Sequence, residues 1–334
     1  MIQRFFLLSF VLLSSSLFAQ QVTHHEQICF PEKVPAGGYS GVCWLGGDEY
    51  AVVSDNTKKD GFFLFTITID EKGAITDVKN KGFKGNSQPG RDNEGIAYNS
   101  HSKKLFISGE KGNQVKEYTM DGQLTGRKFN LPAPFAKATR TYGLEALTYN
   151  AVTHRYWTTT ESTLREDGKQ ASAVNGVKNH LRLQSFNEKL QPVQQFLYEM
   201  DAPTAEFASL RYAFGVSALT ALDDGRLLVL EREFYVPESK IGAYVNCKIY
   251  EVTPERSRAI AANGPLKGKK PLDKRLLTEW TTSVGLLDFS LANYEGMCLG
   301  PRLADGSQVL VLVADSQNQY AGILSDWFKT IVIK

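Results

Sequence analysis

Glu295-Gly296-Met297-Cys298-Leu299, the Asp305-Gly306 turn and Val309-Leu310-Val311-Leu312-Val313-Ala314-Asp315 form the stretch that decides the fold. Two short apolar, β-prone runs on either side of a turn read as an antiparallel hairpin. The same pattern occurs four more times. Ser40-Gly41-Val42-Cys43-Trp44-Leu45 precedes Gly46-Gly47-Asp48 and Tyr50-Ala51-Val52-Val53-Ser54-Asp55. Glu94-Gly95-Ile96-Ala97-Tyr98 precedes Leu105-Phe106-Ile107-Ser108-Gly109-Glu110, and Glu145-Ala146-Leu147-Thr148-Tyr149 precedes Tyr156-Trp157-Thr158-Thr159-Thr160-Glu161. Ser217-Ala218-Leu219-Thr220-Ala221 precedes Asp223-Asp224-Gly225 and Leu227-Leu228-Val229-Leu230-Glu231. Every hairpin opens on Glu or Ser followed by Gly or Ala, and every one closes on Asp or Glu. Self-similarity of this kind is the mark of a repeat architecture.

Two further β-prone segments follow four of the hairpins: 62–70 and 75–84, 114–120 and 124–131, 180–186 and 192–200, 246–253 and 275–282. Four antiparallel strands per repeat is the unit of a propeller blade. The expected fold is therefore an all-β β-propeller of five four-stranded blades. A sixth, degenerate blade inside the longer third and fourth repeats is the alternative count. The fifth hairpin has only 328–334 after it, so the segment 26–33 is expected to supply its missing strand. That pairing would close the ring in the last blade and remove unpaired sheet edges. An open sandwich would not account for an acidic residue matched at every hairpin.

The chain opens with Arg4, an apolar run from Phe5 to Leu13 broken only by Ser9, and small residues up to Ala19. This is the layout of a secretory signal peptide cleaved after Ala19, and the run is shorter than the roughly 20 residues a membrane span needs. Residues 20–334 are then expected to form a single exported domain, periplasmic or extracellular, soluble and monomeric. The formal net charge is +2, and losing Arg4 leaves 37 basic against 36 acidic residues. Such balance points away from nucleic acid and membrane partners. Cys29, Cys43, Cys247 and Cys298 form no CxxC pair. They read as buried free thiols, with a Cys29–Cys298 bridge as the alternative.

In a propeller the first strand of each blade lies next to the axis, and the second runs back antiparallel to it. The starts of first strands (Ser40, Glu94, Glu145, Ser217, Glu295) and the ends of second strands (Asp55, Glu110, Glu161, Glu231, Asp315) should share one mouth of the channel. Up to eight carboxylates crowded there must stay protonated, pair with arginines or bind a hard cation. All-oxygen ligands suit calcium. The expected metal ligands are Glu94, Glu145, Glu295, Asp315, Asp55 and Glu231. The histidines (His24, His25, His101, His154, His180) show no HExxH or other zinc spacing. Arg91 and Arg140 stand just ahead of Glu94 and Glu145, and an arginine fork suits phosphate oxygens. Arg232 reads as a structural ion-pair partner. Long connections over 162–179, 232–245 and 316–327, carrying Arg165, Lys169, Lys178, Lys240, Tyr235, Tyr244 and Tyr320, could shape a pocket for a small anionic ligand. Gly215-Val216-Ser217-Ala218-Leu219 lacks the second Gly of a nucleophile elbow.

Asp92-Asn93-Glu94-Gly95-Ile96-Ala97, Tyr142-Gly143-Leu144-Glu145-Ala146-Leu147, Leu228-Val229-Leu230-Glu231-Arg232 and Tyr294-Glu295-Gly296-Met297 resemble the phytase-like family. So do the Ser40-Gly41 to Ser54-Asp55 repeat and Ala314-Asp315-Ser316-Gln317-Asn318. The likeness runs from residue 37 to about 320. It implies an exported propeller and hydrolysis of phosphomonoesters or esters. On this reading the carboxylates hold calcium, Glu110 or Glu161 accepts a proton from water, and Arg91 and Arg140 bind phosphate. The competing readings are a propeller that binds a sugar, peptide or phosphorylated ligand without turnover, and a purely structural ring of braced carboxylates.

Overall fold

Val, Ile, Leu and aromatic residues alternate through the repeated runs and suit a pleated, half-buried surface. In the computed structural model, which describes residues 21–139, 142–209, 211–286 and 289–334, these runs are strands. The expected signal peptide, residues 1–19, lies outside the described residues. β1 (Val22–His24) is separated from its sheet by nearly the whole chain. Blade I is β2 (Tyr39–Gly46), β3 (Glu49–Ser54), β4 (Lys59–Ile69) and β5 (Ile75–Pro89). Blade II is β6 (Asn93–Asn99), β7 (Lys104–Gly109), β8 (Gln114–Tyr118) and β9 (Leu124–Lys128). Blade III is β10 (Leu144–Asn150), β11 (Arg155–Thr160), β12 (His180–Phe186) and β13 (Pro192–Glu199). Blade IV is β14 (Arg211–Ala221), β15 (Leu227–Val236), β16 (Tyr244–Val252) and β17 (Lys274–Ser283). Blade V is β18 (Asn293–Arg302), β19 (Gln308–Asp315) and β20 (Phe328–Ile333), with β1 outermost. All strand pairs are antiparallel.

Three expectations are corrected here. No sixth sheet occurs among the described residues. The strand beside β20 is Val22–His24, with Val22 opposite Ile333, whereas the segment 26–33 adds one isolated bridge, Ile28 to Phe328. Nor is the ring closed by hydrogen-bonded sheet: the five sheets remain separate, each with its own outer edge. A pairing inside one blade completes that blade and cannot join it to the next.

Packing between blades holds the ring instead. β2 packs on β6 and β18, β10 on β6 and β14, and β14 on β18, a full circuit of first strands. Apolar side chains fill each wedge. Tyr118, Phe62 and Ile96 lie between blades I and II, and Phe129, Tyr156 and Phe186 between II and III. Tyr198, Phe196 and Val229 lie between III and IV, Phe234, Tyr294 and Leu312 between IV and V, and Tyr39, Phe65 and Phe328 between V and I. Cys43, Cys247 and Cys298 are buried free thiols, and Cys29 is free and half-buried.

The residue that opens each motif sits at a break in strand register. Pairing skips Ser40 between Tyr39 and Gly41, Ser217 between Val216 and Ala218, and Glu295 between Tyr294 and Gly296. The breaks in blades II and III span Glu94 and Glu145. A bulge leaves one residue unpaired and re-aims its side chain. The following Gly answers a different need. A Cβ on Gly41 would strike the carbonyl of Glu94, and one on Gly95 the carbonyl of Glu145. Glycine at these positions lets neighbouring first strands approach closely enough to bring their bulged residues together.

Candidate metal centre at the acidic mouth

The bulges of β6, β10 and β18 aim Glu94, Glu145 and Glu295 at the axis. One carboxylate oxygen from each lies within 4.8 Å of the others, and all three residues are buried. Ser40 and Ser217 complete this tier, with hydroxyls donating to the carbonyls of Asn93 at 2.6 Å and Tyr294 at 3.1 Å. Ser217 thus sits in a strand bulge, away from any strand-to-helix elbow. Beyond this tier the channel narrows between Gly41, Gly95, Leu147, Leu219 and Met297. It widens at the opposite face into a cavity of about 570 Å³ lined by Trp44, Tyr98, Tyr149 and Arg302.

A second tier follows from the register. The residues opposite the position before each bulge are Ser54, Gly109 or Thr160 in blades I to III, Glu231 in blade IV and Ala314 in blade V. The next residue in each blade is Asp55, Glu110, Glu161, Arg232 and Asp315. Glu231 is therefore one residue out of step with the other acids, and a one-residue offset sends a side chain to the other face of its sheet. Glu231, expected among the metal ligands, is instead engaged by side chains of blades III and IV. Its carboxylate accepts from Tyr198 Oη and Lys274 Nζ, each at 2.6 Å, and from the backbone of Asp201. Arg232 takes the rim position. Its guanidinium meets Glu161 at 2.6 Å and Glu295 at 3.4 Å and donates to Asn293 Oδ1 at 2.9 Å. Among the described residues the mouth thus holds Asp55, Glu94, Glu110, Glu145, Glu161, Glu295 and Asp315 around Arg232.

Burial comes first in setting their acidity, and the neighbouring carboxylates add to it. Glu94, Glu145 and Asp315 are pushed well above the usual carboxylate range. Burial raises Asp55 to about 7, with Glu295 and Asp92 adding to the rise. Burial raises Glu161 to about 7 against the pull of Arg232. Glu110 rises to about 8 through burial, although it accepts the Gly143 amide at 2.5 Å. Glu295 is raised by burial and held back by Arg232 and Asn293. Among the described residues, Asp55 Oδ1 at this mouth is a buried carboxylate oxygen with no hydrogen-bond partner. Buried acceptors without partners call for a cation or a proton.

The two arginines expected to bind phosphate fare differently. Arg140 lies outside the described residues. Arg91 is buried, and its guanidinium donates to the carbonyls of Gln114 and Ile107 and to Tyr118 Oη, with Asp60 at 3.5 Å. It is an internal brace between blades I and II. Tyr118 donates to Asp60 Oδ2 at 2.7 Å, and Asn93 Nδ2 donates to Oδ1 at 3.1 Å. Tyr118→Phe removes one donor from a fully buried carboxylate and is expected to cost about 1–3 kcal/mol. Urea unfolding measures this, and a loss below a few tenths of a kcal/mol would show that Asp60 does not depend on it.

Blade IV builds a wall beside the mouth. Past Glu231, β14 and β15 continue for five more pairs, from Gly215–Arg232 to Arg211–Val236, about 16 Å at strand rise. The connection expected over 232–245 is therefore strand at both ends. Tyr235 stacks on Tyr244 at 5.1 Å. Arg211 lies over the Tyr320 ring at 4.2 Å and donates to Gln317 Oε1, tying this wall to the blade V connection. In the 162–179 connection, Asn179 Oδ1 accepts from Ser162, Thr163 and the Ala171 amide, and Lys178 pairs with Glu199. A second group of ligating side chains, which spacing did not reveal, is His101, His154 and Glu188, all exposed. No helix among the described residues is long and apolar enough to cross a membrane.

The arrangement is that of an all-β propeller with a buried, carboxylate-lined axial mouth. The family model for phytase-like proteins, described as esterase-like activity of phytase, matches residues 34–317. The chain belongs to the phytase-like family, and here that domain forms a five-bladed propeller. No curated protein matches the chain. Among solved structures it is similar to a nidogen/laminin complex (10% identity, 85% of this chain and 78% of that one, TM-score 0.35). It is similar to the Cps50 (Swd1) β-propeller domain of Myceliophteria thermophila (11%, 93% and 99%, 0.35). It is also similar to a member of the DUF4221 family from Bacteroides vulgatus (9%, 95% and 99%, 0.42).

Proposed function

We propose that this protein is an exported hydrolase of phosphate or carboxyl esters that works with a calcium-class cation at the acidic mouth. The observation that carries the reading is the convergence of Glu94, Glu145 and Glu295 within 4.8 Å, all three buried, with Arg232 beside Glu295. Membership of a family described as esterase-like supports the reaction class. The apolar run from Phe5 to Leu13 behind Arg4, with small residues up to Ala19, supports export.

Glu94, Glu145 and Glu295 would hold the cation, with Asp55 and Asp315 nearest on the rim. A bound divalent cation supplies charge neutralisation, polarises an ester oxygen and acidifies water. Glu110 is the better proton acceptor of the two candidates. Glu161 is already engaged by Arg232, whereas Glu110 accepts only the Gly143 amide among the described residues, and a bound cation would favour its ionised, proton-accepting form.

The test is hydrolysis of an aryl phosphate and an aryl carboxyl ester by the mature protein. Activity abolished by EDTA, restored by calcium and reduced at least about a hundredfold in Glu110→Gln, a typical share for a general base, is the expected result. No hydrolysis of either ester with calcium present overturns it. One observation favours a second reading, ligand binding without turnover: Arg91 and Arg232 are both spent on internal partners. Its signature is thermal stabilisation by a phosphorylated or sugar ligand with no product formed.

A further inference from the structure

On the face opposite the acidic mouth, three tight turns from two blades meet. His101 lies in the β6–β7 turn, His154 in the β10–β11 turn and Glu188 in the β12–β13 turn. Each turn is pinned by an Asn side chain at its base. Asn99 Oδ1 accepts from the amides of His101 and Ser102, both at 3.0 Å. Asn150 Oδ1 accepts from Val152 and Thr153, and Asn187 Oδ1 from Lys189 and Gln191. Asx turns of this kind hold a loop without help from distant packing.

The side chains these turns carry present nitrogen and oxygen to one point. His154 Nδ1 is 3.2 Å and His101 Nδ1 3.8 Å from the same Glu188 Oε1. The two imidazole rings stack at 4.6 Å with 22° between their planes. Tyr149 Oη lies 2.9 Å from Glu188 Oε1 and 3.1 Å from His101 Nδ1. In a tetrahedral zinc site with ligands at about 2.0–2.1 Å, neighbouring donors are about 3.3–3.4 Å apart. The observed separations bracket that edge length.

We infer that His101, His154 and Glu188 form a binding site for a zinc-class divalent transition metal, separate from the carboxylate mouth. Two imidazoles and one carboxylate select zinc, nickel or copper over calcium, so one molecule sorts two kinds of cation to its two faces. The metal would tie the blade II turn to those of blade III beside the wide cavity that Tyr98, Ser100 and Tyr149 line. Tyr149 or water fills the fourth position.

The test is a calorimetric zinc titration of EDTA-treated mature protein kept in saturating calcium, so that the mouth is occupied and failure there is not confused with failure here. One equivalent of zinc should bind, and cobalt(II) at the same site should give a tetrahedral visible absorption band. His101→Ala and His154→Ala should each weaken binding at least about tenfold, the lower range for disturbing a metal site, and remove the band. Glu188→Gln should weaken binding while leaving calcium-dependent activity unchanged. Zinc binding that is absent, or undiminished in the His101→Ala/His154→Ala double variant, overturns the site.

Discussion

Arg232→Met lowers the unfolding free energy by about 3–5 kcal/mol near pH 8 and by much less near pH 5. Among the described residues Arg232 is the cation paired with the rim acids, with 3% of its side chain exposed, against Glu161 and Glu295 at 7% and 9%. Burying a lone charge costs more than burying a pair, so removing the arginine strands two ionised carboxylates in a dry channel. The remedy open to the variant is protonation. Glu161 already sits near 7 with the arginine in place, and without it both acids rise further. Below that range the variant buries neutral carboxyls and the penalty shrinks. Chemical unfolding at both pH values measures this, and a loss independent of pH would mean that the arginine acts through packing alone.

The metal-free protein loses stability steadily as pH rises from about 4 to about 8, and calcium removes that slope. Asp55, Glu161 and Glu110 hold their protons to about 7, 7 and 8 in the folded state, whereas unfolded carboxyls release theirs near 4. Between those limits the folded chain binds more protons than the unfolded one, so stability falls with pH. Each carboxyl that keeps its proton contributes about 1.4 kcal/mol per pH unit to the decline. Coupling among the acids spreads the loss over the whole window. A cation favours the ionised forms, draws the folded-state acidities down and flattens the curve. Thermal unfolding across pH, with EDTA or with calcium, measures both limbs. A metal-free protein equally stable at both ends of the window would contradict the crowding of these acids.

Much of this architecture was legible in residue order, because the hairpin signal is local. In every repeat the Glu or Ser opening, the apolar runs and the closing Asp or Glu lie within about twenty residues of each other. Glu94, Glu145 and Glu295 could be placed together because each opens the first strand of its blade, and those strands all start at the same mouth. The misses arise where the strand continued past the motif. Val216 lies opposite Glu231 in the position that Tyr39 and Ser54 occupy in blade I, so the apparent acid of blade IV is offset by one and Arg232 takes its place. Alternation through Arg232-Glu233-Phe234-Tyr235-Val236 is the signal that could have shown it. The internal partners of Arg91, Asp60 and Tyr118, lie 31 and 27 residues away on other strands, and no spacing rule joins them. The segment 26–33 was chosen as the edge strand on its position alone. The pairing went to Val22–His24, which lies opposite Ile331, Val332 and Ile333.

Proton release on calcium binding tests the central claim most directly. Titrating calcium into metal-free protein at neutral pH, in two buffers of different ionisation enthalpy, counts the protons displaced as the cation enters. At least one proton leaving per ion, with release lost when Glu94 and Glu145 are both changed to Gln, is what a buried carboxylate mouth predicts. Calcium that does not bind, or that binds with no proton displaced, would contradict it.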